Sequence, residues 1–253
     1  MALSVGLASA AAWTPVCHGG FVRYVVTAID VERDGQALTV YTVAARLDGP
    51  NDSVILAYRF KSDRPEDLQG FWHCDALSGG LSQTAGSWSP SHFVKPDADR
   101  AFDSHVTIGQ PAGFNNTTLS DPAWSKGASN PAIGWVRPDI PTNGKVGWYT
   151  ASAPIGGPGR VGLAQTNPDA NYEIAGKPTL ENPATDVRLA QFVLSRDHAP
   201  REFELTIAFS DGTEGTRQEY ATAKFTLGAG KPSQSNSRED GAATAASKED
   251  SKK

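Results

Sequence analysis

"EFELTIAFS" (202–210) decides the class of this fold. Phe203, Leu205, Ile207 and Phe209 fall on one parity, and Glu202, Glu204, Thr206 and Ser210 on the other. Successive side chains of a strand point to opposite faces, so this stretch reads as a strand with one face in a core and one in water. "DVRLAQFVLS" (186–195) precedes it, and "EYATAKFTL" (219–227) follows the breaker "DGTEG". The N-terminal part has the same texture: "FVRYVVTAIDVE" (21–32), the turn "RDGQ", "ALTVYTVAARL" (37–47), then "DSVILAYRF" (52–60). Asp34-Gly35 between two β-branched runs is a strong hairpin signal. No helical periodicity of useful length interrupts these blocks.

Composition agrees. Among 253 residues, 39% are hydrophobic and 20% charged, with 25 Gly and 17 Pro. Such a chain suits many short strands joined by turns better than long amphipathic helices. The predicted fold is an all-β antiparallel sandwich, jelly-roll or cohesin-like, over residues 13–228, with long Gly/Pro/Trp-rich loops between 61 and about 185. A net charge of −5 argues against a protein that grips phosphate backbones, which demand a basic face. Nucleic acid is therefore excluded as an expected partner.

The two ends differ from the middle. "MALSVGLASAAA" (1–12) is apolar and places small residues at the spacing a signal peptidase accepts, although no Lys or Arg precedes Arg23. It reads as a signal peptide, too short for a membrane span; a buried N-terminal strand is the alternative. No second apolar run follows, so no transmembrane segment is expected. Residues 229–253 hold no large apolar side chain and cannot offset their ordering entropy by burial, which predicts a disordered polar tail. The expected location is secreted, periplasmic or cell-surface.

The paired-strand start, "FDSHVTIG" (102–109) and "VRLAQFVLS" followed by "FELTIAFSDG" resemble exported bacterial β-sandwich proteins, broadly cohesin-like or carbohydrate-binding-module-like. The resemblance covers about residues 21–228 and implies a sandwich that binds or builds rather than catalyses. The apolar anchor and basic end of sorted members are missing at the C-terminus, and the resemblance carries over no functional residue.

Candidate sites come from residue chemistry. Cys17 and Cys74, the only two cysteines, are flanked by His18 and His73. In an oxidising compartment they read as one disulfide; a metal site or two free thiols are the alternatives. Strand alternation opposes the metal, since adjacent residues point apart and each Cys-His dipeptide would deliver one ligand. Asp103, Ser104 and His105 suggest a catalytic triad, but Asp103 and His105 share a face and Ser104 points away. Asp97, Asp99 and Asp103 offer hard oxygen ligands for calcium, without the EF-hand pattern. Of six tryptophans, Trp124, Trp135 and Trp148 are the expected ligand-contacting ones, because aromatic faces stack on sugar rings; the alternative is that each fills the core under a loop.

No nucleophile elbow, zinc-protease helix or phosphate loop is present. The functional expectation is an exported, non-catalytic structural or binding module of the cell surface or extracellular matrix, with a glycan or another extracellular protein as partner. A carbohydrate-binding module using exposed tryptophans is the alternative, and a hydrolase with dispersed residues the rival class.

Overall fold

The computed structural model describes residues 20–75, 77–90, 99–110, 112–113, 116–120, 140, 144, 146–150, 158–212 and 218–228. The expected signal peptide, the polar tail, Cys17, Asp97, Trp124 and Trp135 lie outside the described residues.

Asp34 and Gly35 both adopt positive φ, 50° and 73°, the backbone of a type I′ turn whose twist matches its flanking strands. That turn joins β1 (Phe21–Arg33) to β2 (Gln36–Leu47) in register from Arg33↔Gln36 outward. The remaining strands are β3 (Ser53–Lys61), β4 (His105–Val106), β5 (Thr118–Ser120), β6 (Gly147–Thr150), the small hairpin β7 (Glu173–Ile174) and β8 (Lys177–Pro178), then β9 (Asp186–Ser195), β10 (Arg201–Ser210) and β11 (Gln218–Leu227). The helix α1 (Leu163–Thr166) is a single turn. β1-β2-β9-β4 form one sheet and β11-β10-β3-β6-β5 the other, antiparallel in every pairing. The protein is an antiparallel β-sandwich.

The alternation that defined β10 is met on its inner side, where Phe203, Leu205, Ile207 and Phe209 are all buried. They enter one core with Val187, Leu189, Phe192 and Leu194 of the facing sheet. At its centre the ring of Phe60 stacks 5.5 Å from Phe192 and 5.0 Å from Phe203. Each such fully buried ring stabilises the fold by about 1.5–3 kcal/mol relative to exposure.

The two sheets differ in what lies on their outer faces. In β2 and β9, Leu38, Val40 and Val193 point away from the shared core and pack with Ile29, Tyr172 and Ile174. Ala44 does the same against Ala164, Ala170 and Leu180. The long middle region thus forms a third layer over the four-stranded sheet, and this is why β9 is buried on both faces. The five-stranded sheet keeps an outer face with exposed Leu119, Tyr149 and Tyr220.

Candidate functional site

Two segments of the middle region meet at the end of the four-stranded sheet. One is His73-Cys74-Asp75. It is held by the Trp72 N–H donating to the Val193 carbonyl (2.9 Å) and by paired backbone bonds between His73 and Ser82 (2.8 and 2.9 Å). The other is Asp103-Ser104-His105, running from a 3-10 turn (Arg100–Phe102) into β4, where His105 pairs with Gln191. Alternation then sorts the side chains. His73 and Asp75 share one side with Asp103, and the three can offer ligand atoms within 4.8 Å of one another. Cys74 turns the other way, toward Arg33.

Every member of the inner group is excluded from solvent or nearly so: His73, Asp103 and His105 are fully buried and Asp75 almost so. His73 Nδ1 lies 3.6 Å from Asp103 Oδ1, and His105 Nδ1 3.7 Å from Asp103 Oδ2. Asp103 Oδ1 accepts the Cys74 N–H at 3.0 Å. Asp75 accepts the backbone N–H groups of Leu77, Ser78 and Ser87 at 2.9, 2.9 and 2.5 Å. Neither ring nitrogen of His73 has a hydrogen-bond partner among the described residues. The ring is walled by Trp88, edge-on at 4.8 Å, and by Gly86, where any Cβ would collide with it.

Burial dominates the electrostatics. It pushes the Asp103 carboxyl up to about 6, opposed by His73 and the Cys74 N–H and reinforced by the Asp75 carboxylate. It pushes His105 down to about 3, helped by Arg188, so this ring is neutral at physiological pH. On the opposite side the Cys74 thiol rises to about 12, chiefly by burial, with Arg33 pulling the other way. Low dielectric disfavours whichever form carries charge.

Cys17, the expected disulfide partner of Cys74, lies outside the described residues. Cys74 is a free, buried thiol, and its sulfur accepts a hydrogen bond from Arg33 Nη1 at 2.9 Å. Of the calcium candidates, Asp99 pairs with Arg33 at 2.9 Å, Asp103 turns inward to the histidines, and Asp97 lies outside the described residues. Ser104 takes no part in a relay, since its hydroxyl donates to the Trp72 carbonyl (2.6 Å) and accepts the Val193 N–H (2.9 Å). Trp148, expected on a contact surface, is wholly buried. Its Nε1 donates to the Thr107 carbonyl at 3.0 Å and its ring meets Phe60 at 6.2 Å. β6 turns this residue into the core because its neighbour Tyr149 faces out.

That neighbour belongs to the second candidate region. Strand register places Tyr220 opposite Ala208, Ala208 opposite Leu56, Leu56 opposite Tyr149 and Tyr149 opposite Leu119. Directly opposed residues share a face, so these five form one row across all five strands on the outer side of the sheet. Tyr220 is 61% exposed, Leu119 45% and Tyr149 37%. Tyr58 lies beside the row and meets Tyr220 edge-on at 6.4 Å. Farther along, the face becomes charged, with Lys61–Glu204 at 3.0 Å and Lys224–Glu202 at 2.7 Å.

Both regions left traces in the sequence. His73 and Asp75 stand at i and i+2, as do Asp103 and His105, and this spacing places each pair on one side of an extended chain. Tyr220 shares the parity of Thr222 and Lys224, the water-facing parity of its strand. Comparison with known proteins adds no neighbour: no family model, curated protein or solved structure matches this chain.

Proposed function

We propose that this chain is an exported, non-catalytic binding module whose contact surface is the outer face of the five-stranded sheet, and that its ligand is a glycan. The observation that carries the reading is the row Tyr220–Ala208–Leu56–Tyr149–Leu119. Three strand-to-strand steps separate Tyr220 from Tyr149, about 14 Å at the usual spacing, enough for several stacked sugar rings. Tyrosine supplies an apolar face for the ring and a hydroxyl for its polar edge. Thr206 and Thr222, whose hydroxyls lie 2.9 Å apart, add polar groups beside Tyr58 and Tyr220. Residues 1–12, with their signal-peptide pattern, support export.

The test is retention on insoluble polysaccharides and on a glycan array, using the full chain. Tyr149→Ala and Tyr220→Ala should each weaken binding at least about threefold, and the double variant about tenfold or more, since an aromatic contact contributes about 0.5–1.5 kcal/mol beyond area. Retention unchanged in the double variant removes this face. Release of reducing sugar from a bound glycan replaces the binding module with a hydrolase. Fractionation and intact mass from the native host check export: a chain recovered in the cytoplasm with residues 1–12 retained contradicts it.

A further inference from the structure

Two carboxylates and an imidazole have been brought together where water is excluded, and they are incompletely matched. Asp75 and Asp103 would place two negative charges in one buried cluster, and burying charge without compensation is costly. His73, fully buried, turns Nδ1 toward Asp103, but 3.6 Å exceeds a hydrogen bond. Its nitrogens have no other partner among the described residues. This is a donor set lacking an acceptor of lone pairs.

We propose that His73, Asp75 and Asp103 hold a divalent transition-metal ion of the zinc class. One imidazole nitrogen with two carboxylate oxygens suits zinc, manganese or iron better than calcium or magnesium, which take oxygen alone. Two carboxylates and a doubly charged ion leave no net charge in the buried cluster. Ligands bound at about 2.1 Å in a tetrahedron stand about 3.4 Å apart. The side chains, now within 4.8 Å, therefore close on the ion by an ångström or so.

The surroundings fit a structural centre. The backbone N–H bonds to Asp75, and that from Cys74 to Asp103, fix both carboxylates before the ion arrives, as outer partners of metal ligands do. Trp88 and Gly86 fix the ring plane of His73. Asp103 lies 28 to 30 positions from the other two in the chain, so the ion cross-links two loops of the layer that covers the four-stranded sheet. Because the cluster is sealed, the ion enters during folding, and metal affinity becomes folding free energy.

The measurement is metal content and thermal stability of the full chain, refolded with zinc, with cobalt or with a chelator. One ion per chain and a melting temperature several degrees above that of the chelated protein are expected. The cobalt form should show visible d–d bands without a sulfur-to-cobalt charge-transfer band. His73→Ala and Asp75→Asn should lose the ion, and Cys74→Ala should keep it. Should the first two fail to fold, the wild-type chelator comparison and Cys74→Ala decide alone. Equal melting temperatures with zinc and chelator and no stoichiometric metal overturn the proposal, leaving a proton shared within the cluster. A charge-transfer band, or loss of metal in Cys74→Ala, overturns the ligand set.

Discussion

The guanidinium of Arg188 lies 4.4 Å from the centre of the Tyr172 ring, wholly buried and without an ion pair to any carboxylate among the described residues. Neutral groups hold it instead. Nη1 donates to Thr42 Oγ1 (3.2 Å) and to the Tyr172 hydroxyl (3.3 Å), Nη2 to the Ala170 carbonyl (3.3 Å) and to Thr179 Oγ1 (2.5 Å). Burial lowers its pKa from the usual range. This one side chain ties β9 to β2 and to the covering layer at residues 170, 172 and 179.

Arg188→Met keeps much of the volume but leaves several buried acceptors without their donor, each worth about 1–3 kcal/mol when unsatisfied. Arg188→Lys keeps a charge but cannot span four acceptors from one nitrogen. Denaturant unfolding should show both variants destabilised by about 2 kcal/mol or more, with Lys no better than Met. A Met variant as stable as the wild type would mean that desolvating the guanidinium cancels all its hydrogen bonds.

Gly35 and Gly109 have nearly the same backbone, φ 73° and 69°, but different surroundings. A Cβ on Gly35 meets nothing within 4 Å, whereas one on Gly109 would overlap the Pro158 carbonyl oxygen. Gly35→Ala therefore pays only the left-handed conformation, about 1–2 kcal/mol. Gly109→Ala adds a backbone clash and should cost at least about 2 kcal/mol more. Similar unfolding midpoints for the two variants would show that the 109–158 crossing yields without strain.

Cys74 is buried, and its thiol is raised to about 12, so hardly any thiolate exists at pH 8. An alkylating reagent should leave it unmodified in the native protein and modify it once the protein is unfolded. Unfolding without reductant also reports on Cys17: two labels mean two thiols, and none means a disulfide. Rapid labelling of Cys74 in the native state would show that the Arg33 contact is open to solvent.

Parity made the two-sheet core legible: Phe203, Leu205, Ile207 and Phe209 pointed inward as their alternation required, and Asp34-Gly35 formed its turn. Parity could not say what covers an outer face. Arg188 and Gln191 of β9 are polar side chains in a strand, yet Ala170, Tyr172 and Thr179 close over the first and Arg100, Asp103 and Tyr172 over the second. Trp148 and Tyr149 show the same gap. In so short a strand, one of the two had to be buried, and only the pairing of Tyr149 with Leu56 and Leu119 fixes which. The His73 cluster depends on two loops meeting, which local spacing suggests for each pair but cannot join.

His198 carries the acid-side prediction away from that cluster. It sits between β9 and β10, half-buried, with Nδ1 2.7 Å from the Ser195 carbonyl and its ring edge-on to Tyr41 at 5.6 Å. Burial lowers its pKa below the usual 6.5, and Arg201 adds repulsion, against the smaller opposing pull of the Ser195 and Leu227 carbonyls and Asp197. The unfolded chain thus takes up the proton more readily than the folded one. The stability this provides is complete above about pH 6.5 and is lost as pH falls toward the depressed folded value. His105 contributes a slope of the same sign, and Asp103 one of opposite sign as pH rises from an ordinary aspartate's 3.8 to about 6. Comparison with a His198→Gln variant isolates the single residue: the stability of the wild type relative to the variant should decline between pH 7.5 and 5. NMR titration should place the His198 midpoint below 6.5. A midpoint above that value would reverse the sign, making protonation of His198 stabilising and its carbonyl contacts, rather than its burial, the dominant effect.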